Sequence, residues 1–182
     1  MKSWRLISAE ETALDQWQSF TRKTFLKPNG VKRPFHIWGG VNDMSGAVIA
    51  LTPDNLVVIA EQFRPGPNKV MLELPAGFID PGEDPKAGTM RELLEETGYA
   101  SDDVEFLGAS HWTAYENLES HYFLARDCRK VANQSLDPDE LINVKLITID
   151  ELIDNATNDL MCDKAAILFA YEKLKKIKEG NN

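Results

Sequence analysis

Glu83, Arg91, Glu92, Glu95 and Glu96 lie between Gly77 and Gly98 in the stretch GFIDPGEDPKAGTMRELLEETGY, residues 77–99. Asp84-Pro85 reads as a helix start, because proline is tolerated in the first turn, and Gly98 reads as the stop. The spacing therefore predicts one helix over 85–97. On that helix Glu92, Glu95 and Glu96 stand three and four residues apart and share a face. Like charges so placed repel one another, and one reading is simply a solvated acidic helix after a turn. A hard divalent cation, by contrast, requires such a face: Mg²⁺ takes oxygen ligands and completes its shell with water and substrate phosphates. Carboxylates, a divalent ion and a nearby phosphate binder are the equipment for hydrolysis at phosphorus, since the ion bridges pyrophosphate oxygens and lowers the pKa of a bound water.

The stretch resembles the signature of the Nudix hydrolases, G-x5-E-x7-R-E-U-x-E-E-x-G-U with U apolar, met by Gly77, Glu83, Arg91, Glu92, Leu93, Glu95, Glu96, Gly98 and Tyr99. The resemblance implies an α+β Nudix fold and a Mg²⁺ site, with Mn²⁺ as an alternative. Its ligands would be Glu92, Glu96 and the backbone carbonyl of Ala76, with Glu95 close enough to assist and Arg91 orienting the glutamates. Outside the signature, Glu61-Gln62-Phe63-Arg64 followed by Glu73-Leu74-Pro75-Ala76-Gly77 is similar to the Q-[FY]-R … E-[LF]-P-A-G pattern of ADP-ribose and nucleoside-diphosphate-sugar pyrophosphatases. The tail from Asn158 to Lys164 also looks like that branch. By this likeness Arg64 holds the diphosphate, a task suited to its planar fork, and Glu73 borders the ribose side.

The activity so implied is Mg²⁺-dependent cleavage of ADP-ribose to AMP and ribose 5-phosphate. Other substrates of the family are the alternatives, namely dinucleoside polyphosphates, coenzyme A or a hexose conjugate such as GDP-mannose, and so is a non-catalytic nucleotide-sugar sensor. The general base is sought among Glu116, Glu119 and Glu140. The branch carries its base in an acidic loop of pattern E-[FDL]-x-x-V, and Glu140-Leu141-Ile142-Asn143-Val144 fits it, which selects Glu140. Trp17 and Phe35 are spaced like the two stacking aromatics of dimeric members and are assigned to the nucleobase. One departure stands out: Thr113 to Leu118 lacks the proline of the branch's P-G-x-S loop, which leaves hexose conjugates open.

The net charge of −9 argues against a nucleic-acid partner, because phosphate backbones are bound by clustered Lys and Arg. An anionic substrate must then be met locally, by a metal or a few arginines. Cys128 and Cys162 are too few for a disulfide framework and are expected as thiols. The opening MKSWRLISAEE lacks the apolar run of a signal peptide and no window approaches a membrane span, so no membrane association and a cytoplasmic location are expected.

The elements that must position these residues fall into two parts. Residues 1–40 are expected to form a helix and hairpin extension: Ser8-Ala9-Glu10-Glu11 fits a capping box that predicts a helix to about Phe20, and residues 23–26 and 34–38 flank a proline-glycine turn. The hairpin's aromatics have apolar surface to bury, and a homodimer through this extension is expected. Residues 41–182 form the catalytic domain. Ala47–Leu51 and Leu56–Ala60 read as an antiparallel pair of buried strands, the second running on to Arg64. Further strands are expected over 70–74, 104–110, 121–125 and 144–149, followed by a short helix after Thr148 and a longer one over about 163–178. The predicted architecture is a mixed sheet with the signature helix on one side and the C-terminal helix on the other.

Overall fold

The computed structural model describes residues 3–15 and 18–180. They divide into two compact units, one comprising residues 1–44 and 110–120 and the other residues 45–109 and 121–182. The first unit takes in the return of the chain at 110–120 as well as the extension read from the sequence.

In the first unit β1 (Arg5–Ala13), β2 (Ser19–Leu26) and β3 (Lys32–Trp38) form an antiparallel sheet in that order. The expected hairpin is β2–β3. The expected helix from Ser8 is not formed: that stretch is β1, paired with β2 from Arg5↔Leu26 to Ala13↔Ser19. The backbone ladder to β2 takes the amides that a local helix would use, and the box is not made. A capping box needs the Glu11 carboxylate to reach back to Ser8, whereas Glu11 Oε2 accepts from the Val41 N–H at 3.0 Å. Phe35 lies in a ring cluster with Trp4, Phe25 and Tyr115, at centroid distances of 6.0, 6.1 and 6.3 Å.

The remaining elements, which belong to the second unit except for Met44, Ser110, Glu119 and Ser120 at strand ends, are β4 (Met44–Ala50), β5 (Val57–Arg64), β6 (Lys69–Glu73), β7 (Ala76–Phe78), α1 (Pro85–Thr97), β8 (Tyr99–Ala100), β9 (Asp103–Ser110), β10 (Glu119–Arg126), β11 (Arg129–Lys130), β12 (Ile142–Ile147), α2 (Ile149–Thr157) and α3 (Lys164–Lys178). Their two larger sheets have the orders β7-β4-β10-β9 and β12-β5-β6. β4 and β5 therefore do not pair along their length as expected. After a single bridge between Leu51 and Val57, around a turn in which Asn55 takes φ 59°, they part into different sheets. A short turn fixes the first contact only, and each apolar run finds its partners elsewhere, β4 in β7 and β10, β5 in β6 and β12.

Strand alternation sorts the core into two layers. Ala47, Ile49, Val57, Ile59, Tyr122 and Leu124 point one way and pack with Leu152 of α2 and Ala166, Ala170 and Leu174 of α3. Val48, Ala50, Val58, Phe123 and Ala125 point the other way and pack with Leu93 of α1. The sheets thus lie between the signature helix and the C-terminal helices, as the sequence predicts. Helix α1 has the predicted bounds. Asp84 accepts from the Ala87 N–H at 3.0 Å, Pro85 opens the first turn, and Gly98 ends it at φ 76°, where a Cβ would sit 2.2 Å from the Ala132 carbonyl oxygen. Helix α2 starts at Thr148, whose side chain and Glu151 form a reciprocal capping box.

Candidate active site

All the charged candidates from Arg64 to Glu96, and Glu140, belong to the second unit. Arg91 is the organiser. Its guanidinium donates to Glu83, to Glu92 Oε1 at 2.7 Å, to Glu95 Oε2 at 3.0 Å and to the Phe78 carbonyl at 3.2 Å. One planar fork therefore orients three carboxylates and ties helix α1 to the strand that precedes it. Glu83 is held below the usual carboxylate range, first by Arg91 and then by the Asp80 N–H. Arg91 is in turn kept protonated more firmly, chiefly by Glu83.

Gly77 is required by this packing rather than by its backbone. A Cβ there would stand 2.3 Å from the Glu92 carboxyl carbon, so any other residue would displace the carboxylate. Glu96 is 3% exposed and accepts from the Ala76 N–H at 3.0 Å, which sets it beside the backbone of the predicted carbonyl ligand. Burial raises the Glu92 carboxyl, assisted by Glu95 and Glu140 and opposed by Arg91. Burial likewise pushes Glu96 up to about 8, with Glu92 and Glu140 adding repulsion and the Ala76 N–H and Arg64 opposing it. Glu140 sits at the turn before β12, where its Oε2 accepts from the Asp137 N–H at 3.0 Å, close enough for its charge to act on both Glu92 and Glu96.

Glu92 and Glu96, two carboxyls on one helix that are raised by burial and by neighbouring acids, form a site short of positive charge. Among the described residues no three His, Cys, Asp or Glu side chains close into a preformed metal cage. The donor set nevertheless fits a hard cation of the Mg²⁺ type, which needs only one or two carboxylates and keeps several waters. Glu92, Glu96 and the Ala76 carbonyl are the residues that would hold it.

Arg64 and Glu73 form an ion pair through Arg64 Nε, with Glu73 fully buried and the arginine side chain 37% exposed. The other Glu73 oxygen accepts from the Cys162 N–H at 3.1 Å. Glu73 thus faces Arg64 and the chain before α3, away from open surface. Arg64 and Glu96 attract each other, which links this pair to the carboxylate face. Trp17 lies outside the described residues, and Phe35, Glu116 and Glu119 belong to the first unit.

Asp163 is the member of this region that sequence reasoning missed. It stands before α3, is 5% exposed and makes no side-chain cap bond. Burial first, and then the charge of Glu73, push its carboxyl from 3.8 up to about 7 against the pull of Arg64. A carboxyl raised on folding contributes stability that is complete below its unfolded pKa and lost as the pH rises through the folded one. Asp163→Asn should therefore gain Tm relative to the wild type between about pH 5 and about pH 8, each kcal/mol being worth roughly 2–4 °C in a chain of this size. Calorimetry at the two pH values measures it; a difference that does not change with pH would contradict it.

The NUDIX domain model matches residues 43–165, from the start of β4 into α3. The chain belongs to the Nudix hydrolase family. It is 36% identical over 135 residues to a methanol dehydrogenase activator of Bacillus methanolicus, covering 71% of this chain and 72% of that one. It is 29% identical over 133 residues, with the same coverage of 71% and 72%, to an ADP-ribose pyrophosphatase of Bacillus subtilis. Among solved structures, one described as an ADP compounds hydrolase superposes with a TM-score of 0.78 over 100% of this chain and 98% of that one, at 20% identity, which is a likeness of fold. No helix among the described residues is long and apolar enough to cross a membrane.

Proposed function

We propose that the chain hydrolyses the pyrophosphate bond of nucleoside-diphosphate sugars in the presence of Mg²⁺, with ADP-ribose the preferred substrate and AMP and ribose 5-phosphate the products. The observation that carries this reading is the carboxylate face of Glu92 and Glu96, ordered through Arg91 and the Ala76 N–H, with the charge of the Glu73-paired Arg64 acting on Glu96: a guanidinium near an oxygen-rich cation site is what a diphosphate needs. The ADP-ribose pyrophosphatase and ADP-sugar pyrophosphatase relatives support the substrate class. A divalent ion would supply charge neutralisation on the diphosphate and a water of lowered pKa. The protein's own groups do the rest. Arg91 keeps the glutamates in place, Arg64 binds the diphosphate through its free nitrogens, and Glu140 takes a proton from the attacking water. A panel of ADP-ribose, ADP-glucose, GDP-mannose, dinucleoside polyphosphates and coenzyme A, incubated with Mg²⁺ and read for nucleoside monophosphate, tests it. Release of AMP fastest from ADP-ribose is the expected result, and turnover of coenzyme A alone would overturn the reading.

The unit of residues 1–44 and 110–120 is proposed to serve dimerisation, with Phe35 and Trp17 serving the nucleobase. Trp4, Leu6 and Ile7 are 38%, 49% and 41% exposed in and beside β1, and Trp38 is 50% exposed on β3, more apolar surface than a solvated arm carries. Light scattering at micromolar concentration should give twice the chain mass; a monomer mass would contradict it.

A further inference from the structure

We propose that Glu73 is a positioning residue, not a substrate contact: it pins Arg64 by Nε so that both terminal nitrogens of the guanidinium are presented to the substrate diphosphate. This rests on the diphosphate-sugar reading above.

The strand register explains why a pin is needed. Arg64 pairs with Lys69, whereas Glu73 pairs with Ala60, so the two charged residues share one face of the β5–β6 pair but stand four positions apart. For its Nε to meet Glu73, the Arg64 side chain must run back along the strand instead of out from its end into water. That course also brings its charge within reach of Glu96. An arginine at a strand end, left to itself, samples many rotamers and gives up rotamer entropy on binding. Bonding Nε alone removes that freedom and leaves the terminal N–H groups, which carry the bidentate geometry.

Glu73 is in turn fixed from its far side. One oxygen is given to Arg64 and the other to the Cys162 N–H, and the segment bearing Cys162 is stapled to β6 by the Leu72 N–H to Leu160 carbonyl bond at 2.7 Å and by Lys69 to Asp159. With no exposed surface, Glu73 has no access to a ribose. Asp163 lies buried beside the pair, and its charge is felt together with theirs. The chain before α3 is thereby the footing on which the arginine stands, which gives the stretch from Asn158 to Lys164 a role in substrate binding without contact.

The test is a double-mutant cycle with ADP-ribose and Mg²⁺, using Glu73→Gln, Arg64→Ala and the pair, alongside the Arg64 Nε–H signal in ¹⁵N NMR of the intact protein. Glu73→Gln keeps the acceptor for Cys162 and should raise KM on the order of tenfold with a smaller change in kcat. In the Arg64→Ala background the same change should have almost no further effect. The Nε–H of Arg64 should give a resolved, slowly exchanging signal in the wild type that collapses into the averaged arginine position in Glu73→Gln. Arg64→Lys, which preserves the ion pair but has no fork, should raise KM as much as Arg64→Ala. Additive effects on KM, an unchanged Nε–H signal or a wild-type KM in Arg64→Lys would each overturn the proposal. If the wild type turned over no nucleoside-diphosphate sugar, the substrate reading would fail by itself, and the NMR comparison would still decide whether Glu73 pins Arg64.

Discussion

Glu96→Gln should leave a folded protein whose kcat is lower by about a hundredfold or more, as loss of the proposed metal ligand entails. The fold survives because the substituted amide oxygen can still accept from the Ala76 N–H, as the Glu96 carboxylate does. A buried charge is also removed. Burial and the neighbouring Glu92 and Glu140 raise the Glu96 carboxyl from 4.5 to about 8, so in chelator its contribution to stability is full below 4.5 and lost as the pH rises through 8. The variant lacks that loss and should melt no lower than the wild type at alkaline pH in chelator. Adding Mg²⁺ should then raise the Tm of the wild type much more than that of the variant, because a ligand that binds only the folded state stabilises it. Two measurements, turnover and the Mg²⁺-induced Tm shift, must change together. Normal turnover in Glu96→Gln, or an undiminished Tm shift, would remove Glu96 from the metal site.

The parts of the site that were legible in the sequence are those whose signals are local. Asp84, Pro85 and Gly98 bound helix α1 by capping and by a left-handed turn, and the spacing of Glu92, Glu95 and Glu96 follows from the helix itself. The organising role of Arg91 was expected as well, and its bonds to Glu83, Glu92 and Glu95 give it that form. What the sequence hid are contacts made across long separations. The Ser8 to Glu11 box reads as a helix start, yet Glu11 bonds to Val41, thirty positions away, and the chain there joins a sheet. Likewise Glu73 is assigned to the ribose side by the resemblance, and only the fold shows Arg64 on one of its oxygens and Cys162 on the other. Asp163 reads as an ordinary helix start, and only the fold shows it buried under the charges of Glu73 and Arg64. Strands β7, β8 and β11 are too short, at three, two and two residues, to carry any alternation.

Glu140→Gln should bind ADP-ribose about as well as the wild type while turning it over about 10²–10⁴-fold more slowly, the range that a general base contributes. In the structure the Glu140 carboxylate is engaged by the Asp137 N–H within its own turn, and its charge already acts on Glu92 and Glu96. Leu141 beside it is 89% exposed, so the tip of the loop is not anchored by packing, whereas Ile142 is buried at 6% and fixes the start of β12. The loop thus combines a free tip with a fixed base, the arrangement that lets a carboxylate swing onto substrate and return. A base of the role proposed for Glu140 acts on the water and not on the nucleotide, so its loss should appear in kcat and leave KM nearly unchanged. Glu116→Gln and Glu119→Gln are the controls. Both carry the same charge on the chain between β9 and the start of β10, and burial raises the carboxyl of Glu116 while His111 opposes it. Steady-state kinetics on the three variants decides the matter: if Glu119→Gln is the inactive one and Glu140→Gln is nearly normal, the base belongs to the β9–β10 connection and the role assigned to the acidic loop is wrong.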